Sequence, residues 1–411
     1  MDKGSAVIHL YRRNCIDHKE TPMVNNRFRT VIVSLFLSTI CAMVFAEEAE
    51  KLKVTPTGRI FIDGASFFTP QKDYFPDGIA IPDVRLGVMM NYEKWSASIN
   101  IGFNQSKVGL RGIFLGYNFN DRLLIRMGSF VYQYGLRTTL SSASLAPMIS
   151  PIANTAFNDG RQLGAMLVYY PDKYLAALSL HTESGASSNI LGTKEFAKEG
   201  IGTSTRLVFR PYYSMGKVVQ FGISGGLASP RQHLNENGED THDVFEFKSN
   251  FPSRVVQVSA INAVVDKAVN KWHFSPELLL NYKNLALESQ YYYNRVNRHS
   301  GLPSFTGQGM YVILRGLLRG SSYNYSRYAG VLDNPNPQSL EFVLDYDYTD
   351  LSDSKARIYG GRANNVSITF NYYINKYIIA RFRYGYTHTW DRFGEQPISL
   401  NSIMVRLQMI I

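Results

Sequence analysis

Val366-Ser367-Ile368-Thr369-Phe370-Asn371-Tyr372-Tyr373 runs into Ile374-Asn375-Lys376-Tyr377 and then into Ile378-Ile379-Ala380-Arg381-Phe382-Arg383-Tyr384-Gly385-Tyr386-Thr387. Side chains of an extended chain point alternately to its two faces. Val366, Ile368, Phe370 and Tyr372 therefore share one face, and Ser367, Thr369 and Asn371 the other. In the second segment Ile378, Ala380, Phe382, Tyr384 and Tyr386 are set against Arg381, Arg383, Gly385 and Thr387. The short stretch between them has the length of a tight antiparallel connection. The unit is a hairpin with one apolar, aromatic face and one polar, cationic face.

The same period continues in both directions. Ile403, Val405, Leu407, Met409 and Ile411 alternate with Met404, Arg406 and Gln408 up to the last residue. An apolar side chain closing an alternating terminal strand reads as an assembly signal of outer-membrane barrels. Upstream, Val84, Leu86, Val88 and Met90 oppose Arg85, Gly87 and Asn91, while Leu340, Phe342, Leu344, Tyr346 and Tyr348 oppose Glu341, Asp345 and Asp347. A soluble sandwich also alternates, but its apolar stripes need a second sheet to cover them. In lipid they need nothing, provided the sheet closes and leaves no backbone group unpaired.

The alternation persists from about Gly58 to Ile411 with no helical-period segment and no interdomain linker. After Glu47 no run approaches the roughly 20 apolar residues of a spanning helix. Aromatics make up 13% of the chain, 27 Tyr and 24 Phe against 3 Trp, which suits girdles at two lipid interfaces. The fold class is therefore all-β: a transmembrane antiparallel β-barrel of about 16 strands, the even number that fits the strand-like runs. The longest connections are expected at Thr138–Asp159, Pro230–Ser253 and Ser321–Gln338. Gln232–His242 is polar and expected in solvent. Leu140–Phe157 is apolar and poor in charge, and is expected to fold inward and narrow the pore, with an ordinary outer loop as the alternative.

The N-terminus carries a different signal. Met23 opens a stretch with Arg27 and Arg29, an apolar run from Val31 to Phe45, and Val44-Phe45-Ala46 ahead of Glu47-Glu48. That is the pattern of a secretory signal peptide, over residues 23–46 with cleavage after Ala46, leaving residues 47–411 as the barrel. Residues 1–22 read as an over-extended start with no function of their own. Ile40 before Cys41 does not suit a lipoprotein signal. Both cysteines, Cys15 and Cys41, fall in the discarded segment, so neither a disulfide framework nor a thiol metal site is expected. The formal net charge of +10 would suit nucleic acid, but export and barrel patterning outweigh that partner.

By parity the lumen receives Arg85, Arg126, Arg206, Arg210, Arg381, Arg383 and Arg406, with Pro211 ending the strand that carries Arg206 and Arg210. Arginines on the inner face of a water-filled pore raise the local anion concentration, and the planar guanidinium suits oxyanions. Alternatively these arginines pair with inward acids such as Glu341, Asp345 and Asp347 and only fill the lumen. Gly222-Ile223-Ser224-Gly225-Gly226 matches a nucleophile elbow, but no helix follows it. Asp345, Asp347, Asp350 and Asp353 lack the Gly and Glu of a calcium loop. His181, His273 and His388 have no ligand spacing. No catalytic residue, metal or cofactor is expected.

Ser339–Tyr346, Asp350-Leu351-Ser352-Asp353, Gly360-Gly361-Arg362 and Val366–Tyr373 together resemble the phosphate-selective porin O and P family, and Leu124–Leu136 and Glu277–Tyr292 are similar to further stretches of it. The resemblance implies a homotrimer of sixteen-stranded barrels in the bacterial outer membrane, a loop folded into each pore, and basic residues along an anion path. Two positions depart from the pattern: Val131 stands where a lysine is common, and Arg319-Gly320 where a Gly-Glu pair is common. The expected function is passive diffusion of small solutes, anions such as phosphate, with membrane lipid and the barrel assembly machinery as partners. A general or sugar-type porin and a non-transporting scaffold or hydrolase barrel are the alternatives.

Overall fold

Each strand of the main sheet bonds to the next in chain order, and the last returns to the first. The structure, a computed structural model, describes residues 52–411 apart from 105–106, 159, 183–196, 199, 231, 235–239, 300 and 393. The expected extension and signal peptide lie outside the described residues. The barrel strands are β1 (Lys53–Phe68), β2 (Gly78–Tyr92), β3 (Trp95–Asn104), β4 (Lys107–Asn120), β5 (Leu123–Phe130) and β6 (Gln162–Tyr169). They continue with β7 (Tyr174–Thr182), β8 (Ile201–Ser214), β9 (Lys217–Ala228), β10 (Ala268–Tyr282) and β11 (Leu285–Arg298). The circuit ends with β12 (Phe305–Arg319), β13 (Leu340–Asp353), β14 (Ile358–Tyr373), β15 (Ile378–Arg392) and β16 (Ile398–Ile410). The closed barrel therefore has the 16 strands expected.

Closure falls between β1 and β16, paired from Arg59↔Ile410 to Phe68↔Asn401. Asp63 and Arg406 stand directly opposite each other in that register. Their side chains form a two-pronged ion pair, Nε to Oδ1 at 2.7 Å and Nη2 to Oδ2 at 2.6 Å, both buried inside the barrel. Outside, Val366, Phe370, Phe382, Tyr384, Val405 and Leu407 are exposed as the parity reading requires. Tyr92, Trp95, Phe119, Tyr169, Tyr174, Tyr212 and Tyr282 are exposed near the ends of their strands. They sit beside the short connections 93–94, 121–122, 170–173, 215–216 and 283–284, the end that faces the periplasm in such barrels.

Parts of three long connections turn into the lumen. Residues 131–161, between β5 and β6, carry two short helices, α1 (Gly135–Thr138) and α2 (Ile152–Phe157), both buried. They hold one and two turns, too short to impose a period on the sequence. Leu140–Phe157 does fold inward, as expected. Residues 229–267, between β9 and β10, include a hairpin, Phe245–Asn250 with Ser259–Val265, whose Phe247, Ile261, Ala263 and Val265 join the core cluster around Phe157. Within the same connection, the side chains of Gln232–His242 lie outside the described residues. Residues 320–339, between β12 and β13, enter from the opposite, short-turn end and bury Tyr323, Val331 and Leu332.

One expectation is corrected. β8 does not stop at Pro211 but continues to Ser214. Its ladder with β7 ends at Tyr174↔Phe209, and its register with β9 shifts opposite Gln220. Proline is tolerated at a bulge beyond a neighbour's end because no ladder bond is asked of its missing N–H.

The β1–β16 pair is the connection that makes the sheet a ring. Asp63→Ala would leave Arg406 buried with an unmatched charge, a loss of about 3–5 kcal/mol. Unfolding by denaturant in lipid vesicles is expected to move by that amount, while a surface variant such as Lys376→Ala leaves it unchanged.

Candidate functional site

All seven arginines assigned by parity project into the lumen, where they divide into two groups. Five are nearly sealed from water and bound to fixed partners. Arg206 is 0% exposed. It grips Glu277 with Nε at 3.0 Å and Nη2 at 2.7 Å, and reaches Gln133 Oε1 at 2.7 Å and Ala329 O at 2.6 Å. Arg210 donates to Tyr325 Oη at 2.9 Å, to Pro171 O at 2.8 Å and to Tyr174 O. Arg381 donates to the carbonyls of Ala143 at 2.6 Å and of Leu145, and Arg406 to that of Met148 at 3.0 Å besides Asp63. Arg383 reaches Asn365 Oδ1 at 3.2 Å, and Asn365 in turn donates to Asp345 and Asp347.

These contacts hold the inward connections against the wall. Asp347 accepts from Ile152 N at 3.1 Å at the start of α2, and Asn371 donates to Ala146 O at 2.8 Å. Gly135 N donates to Ser224 Oγ at 3.0 Å, and Leu136 N to Gln290 Oε1 at 3.0 Å. Gly135 has φ +72°, and a Cβ there would lie 1.8 Å from Gln290 Nε2, so this approach of α1 to the wall requires glycine. Two arginines outside the parity assignment join the same framework. Arg137 binds Glu288 at 2.7 Å, while Arg315 bridges Glu288 and Glu341 at 2.8 Å each. The connections 131–161 and 320–339 meet where Gln133 Nε2 donates to Tyr328 O at 3.0 Å. Between β8 and β12 the lumen is filled with protein.

Among the described residues, open space lies on the other side. Two adjoining cavities of about 450 Å³ and 370 Å³ share Arg85, Arg111, Ser150, Thr155 and Arg254. Their walls come from β2 to β5, from residues 131–161, from residues 249–257 and from Tyr328 of the connection 320–339. Arg85 and Arg126, the remaining two of the seven, line this space together with Arg111, Arg161 and Arg254, and with Arg137, which is tied to Glu288. Among the described lining residues Asp83 is the one carboxylate. It is shared by Arg85 at 3.0 Å, Arg254 at 3.4 Å and, behind them, Arg59 at 2.6 Å. Arg111, Arg126 and Arg161 have no ion pair among the described residues. Arg126 lies 3.9 Å from the centre of the Phe114 ring.

Parity could not find Arg111, Arg161 and Arg254. Arg111 sits at a bulge where the β3–β4 register shifts between Asn100 and Ile101, and an extra residue there turns it inward. Its side chain lies across Gly102, whose Cβ would come 2.4 Å from Arg111 Cγ. The other two are on connections, where no period applies. Burial, reinforced by neighbouring arginines, lowers both Arg161 and Arg254 to about 10, so both stay cationic at neutral pH. The space is a positively charged chamber with hydroxyl groups from Ser141, Ser142, Ser150 and Thr155, a donor-rich surface for an anion.

Ser224, the elbow candidate, lies within β9 and accepts from the α1 backbone. Asp350 and Asp353 bind Arg362 at 3.0 Å and Thr306 N at 2.9 Å. Among the described residues no cluster of His, Cys, Asp or Glu could hold a metal ion.

Known proteins give the same architecture. The anion-selective porin from Comamonas acidovorans superposes with a TM-score of 0.53 at 13% identity, over 88% of this chain and 100% of its own. OmpT of Vibrio cholerae in its trimer form gives 0.54 at 10% identity, over 88% and 100%. The outer membrane channel DcaP of Acinetobacter baumannii gives 0.51 at 14% identity, over 89% and 100%. No curated protein matches the sequence. The family model for phosphate-selective porin O and P matches residues 57–409. With that match spanning almost the whole barrel, the chain belongs to the phosphate-selective porin O and P family, a family of outer-membrane porins.

Proposed function

We propose that this porin passes small anions, phosphate among them, along an off-axis path beside β2 to β5, and that Arg85, Arg111, Arg126, Arg161 and Arg254 draw them in. The observation that carries this reading is the excess of guanidinium groups over carboxylates, of which Asp83 is the one among the described lining residues, around the open cavities. Buried cations without matching acids are costly, and a passing anion offsets that cost. Low-dielectric walls focus the field along the path. Arg206, Arg210, Arg381, Arg383 and Arg406 serve the path indirectly, by holding the inward connections.

The reading includes a homotrimer, and the wall itself supports it. β5, β6 and β7 have 8, 8 and 9 residues. At roughly 3.3 Å per residue and a tilt of roughly 40° they reach about 20 Å, less than the roughly 25 Å apolar band of such barrels. A wall that short is better covered by a neighbouring subunit than by lipid. Export by a signal peptide over residues 23–46, insertion by the assembly machinery through β16 and the absence of catalysis complete the proposal, with residues 1–22 as an over-extended start.

The deciding experiment is the reversal potential of the purified protein in planar bilayers across a potassium chloride gradient, with phosphate as competitor. Chloride preference with block by phosphate is expected. Arg111→Gln, Arg161→Gln and Arg254→Gln combined should lower the anion-to-cation permeability ratio by about tenfold or more, and Asp83→Asn should raise it. Channels without ion preference would overturn the anion reading, and the lack of any channel would overturn transport.

Arg381→Gln gives a separate expectation. It removes donors from the carbonyls of Ala143 and Leu145, loosening one edge of the larger cavity at Leu145 while leaving every arginine that lines it in place. Single-channel records should show a noisier and larger conductance, with the chloride preference kept.

A further inference from the structure

The lipid-facing wall of β8 to β12 carries a groove of about 480 Å³ near the short-turn end. Its floor is a row of aliphatic residues in direct register across four strands, Val219↔Leu280↔Leu287↔Leu314. The next row toward the rim reads Lys217↔Tyr282↔Leu285↔Gly316. Lys217 and Lys283 stand 5.2 Å and 5.6 Å from the centre of the Tyr282 ring. Gly316 leaves the far end of the rim row open, since a Cβ there would meet nothing nearer than Leu285 Cδ2 at 3.5 Å.

Charge sets these turns apart from three others on the rim. Glu93-Lys94, Asp121-Arg122 and Asp172-Lys173 each pair an acid with a base, whereas Met215-Gly216-Lys217 and Lys283-Asn284 hold bases alone, as does the separate turn Asn375-Lys376; the groove is where two such turns adjoin. Two cations at membrane-interface depth above an apolar row match one kind of occupant, an amphiphile with an anionic head and a hydrocarbon tail.

We infer that this groove binds an anionic phospholipid of the periplasmic leaflet, its phosphate between Lys217 and Lys283 and one acyl chain along Val219, Leu280, Leu287 and Leu314. The site is on the outer surface and independent of the pore. Tyr282 supplies a flat apolar step between head and tail and keeps both ammonium groups over its ring, where they remain free to meet a phosphate.

The test is native mass spectrometry of the intact barrel released from vesicles of phosphatidylcholine with phosphatidylglycerol, counting the lipid retained. Preferential retention of phosphatidylglycerol is expected. Lys217→Gln with Lys283→Gln should reduce that preference by roughly thirtyfold, the factor for two surface cations beside an anionic lipid. Gly316→Leu, which keeps both charges and fills the open end of the rim row, should reduce retention of both lipids. Equal retention of the two lipids by the wild type would overturn the proposal, as would a preference that survives the double variant. Loss of bound phosphatidylglycerol on adding inorganic phosphate, with no dependence on Gly316→Leu, would assign the lysines to the free ion and also overturn it. Retention of a second copy of the chain in place of lipid would make the groove an interface between subunits and reject the lipid.

Discussion

Everything in this molecule follows from the backbone hydrogen bond in hydrocarbon. A sheet edge in lipid has no water to satisfy it, so the sheet must close. Here closure rests on the ladder between the two ends of the chain, down to Gly58 and Ile411 exchanging backbone bonds at 3.0 Å and 2.8 Å. The ring fixes which side chains face inward, and the inward set holds most of the charge. Asp63 with Arg406 at the seam is the simplest case: the pair joins the first strand to the last and also holds the Met148 carbonyl of an inward connection.

A barrel of this width encloses more space than its inner side chains can fill. Connections entering from both ends fill part of it, and the wall arginines satisfy their carbonyls. Guanidinium suits that work because its rigid fork serves a carboxylate and one or two carbonyls at once. Arg206 does this for Glu277, Gln133 and Ala329. The same residue type therefore performs two tasks in one barrel, and what separates them is whether the fork lies against an inward connection or borders an open cavity.

Much of this was legible in the sequence. The alternation in Val366–Tyr373 and Ile378–Thr387 announced both the barrel and the inward direction of Arg381 and Arg383, because lipid outside and water inside impose a period of two. The apolar stretch Leu140–Phe157 pointed to an inward loop without deciding against an outer one, because an apolar segment gains by leaving water but its destination is set by the wall it meets. Parity says only that a side chain enters the lumen, however, and nothing about what it meets there. Arg381 and Arg85 look alike in the sequence, yet one is bound to loop carbonyls and the other faces open space. Arg111 escaped because a bulge shifts the count by one, and Arg161 and Arg254 because connections have no count to follow. Pro211 misled because its missing N–H breaks a ladder only where a neighbour is there to need it.

The uneven filling of the lumen divides the barrel into two sectors under different rules. Where protein fills the interior, from β8 to β12, each inner side chain is fitted to neighbours in volume and hydrogen bonding, so a change of shape is felt even when charge is kept. Beside β2 to β5 the inner side chains border the two cavities, and there the field matters more than the fit. A lysine for Arg126 in the open sector preserves what a passing ion senses, whereas a lysine for Arg206 in the filled one abandons most of its partners. Drift in the sequence of such a barrel would therefore change its selectivity from one flank and its solidity from the other, almost independently.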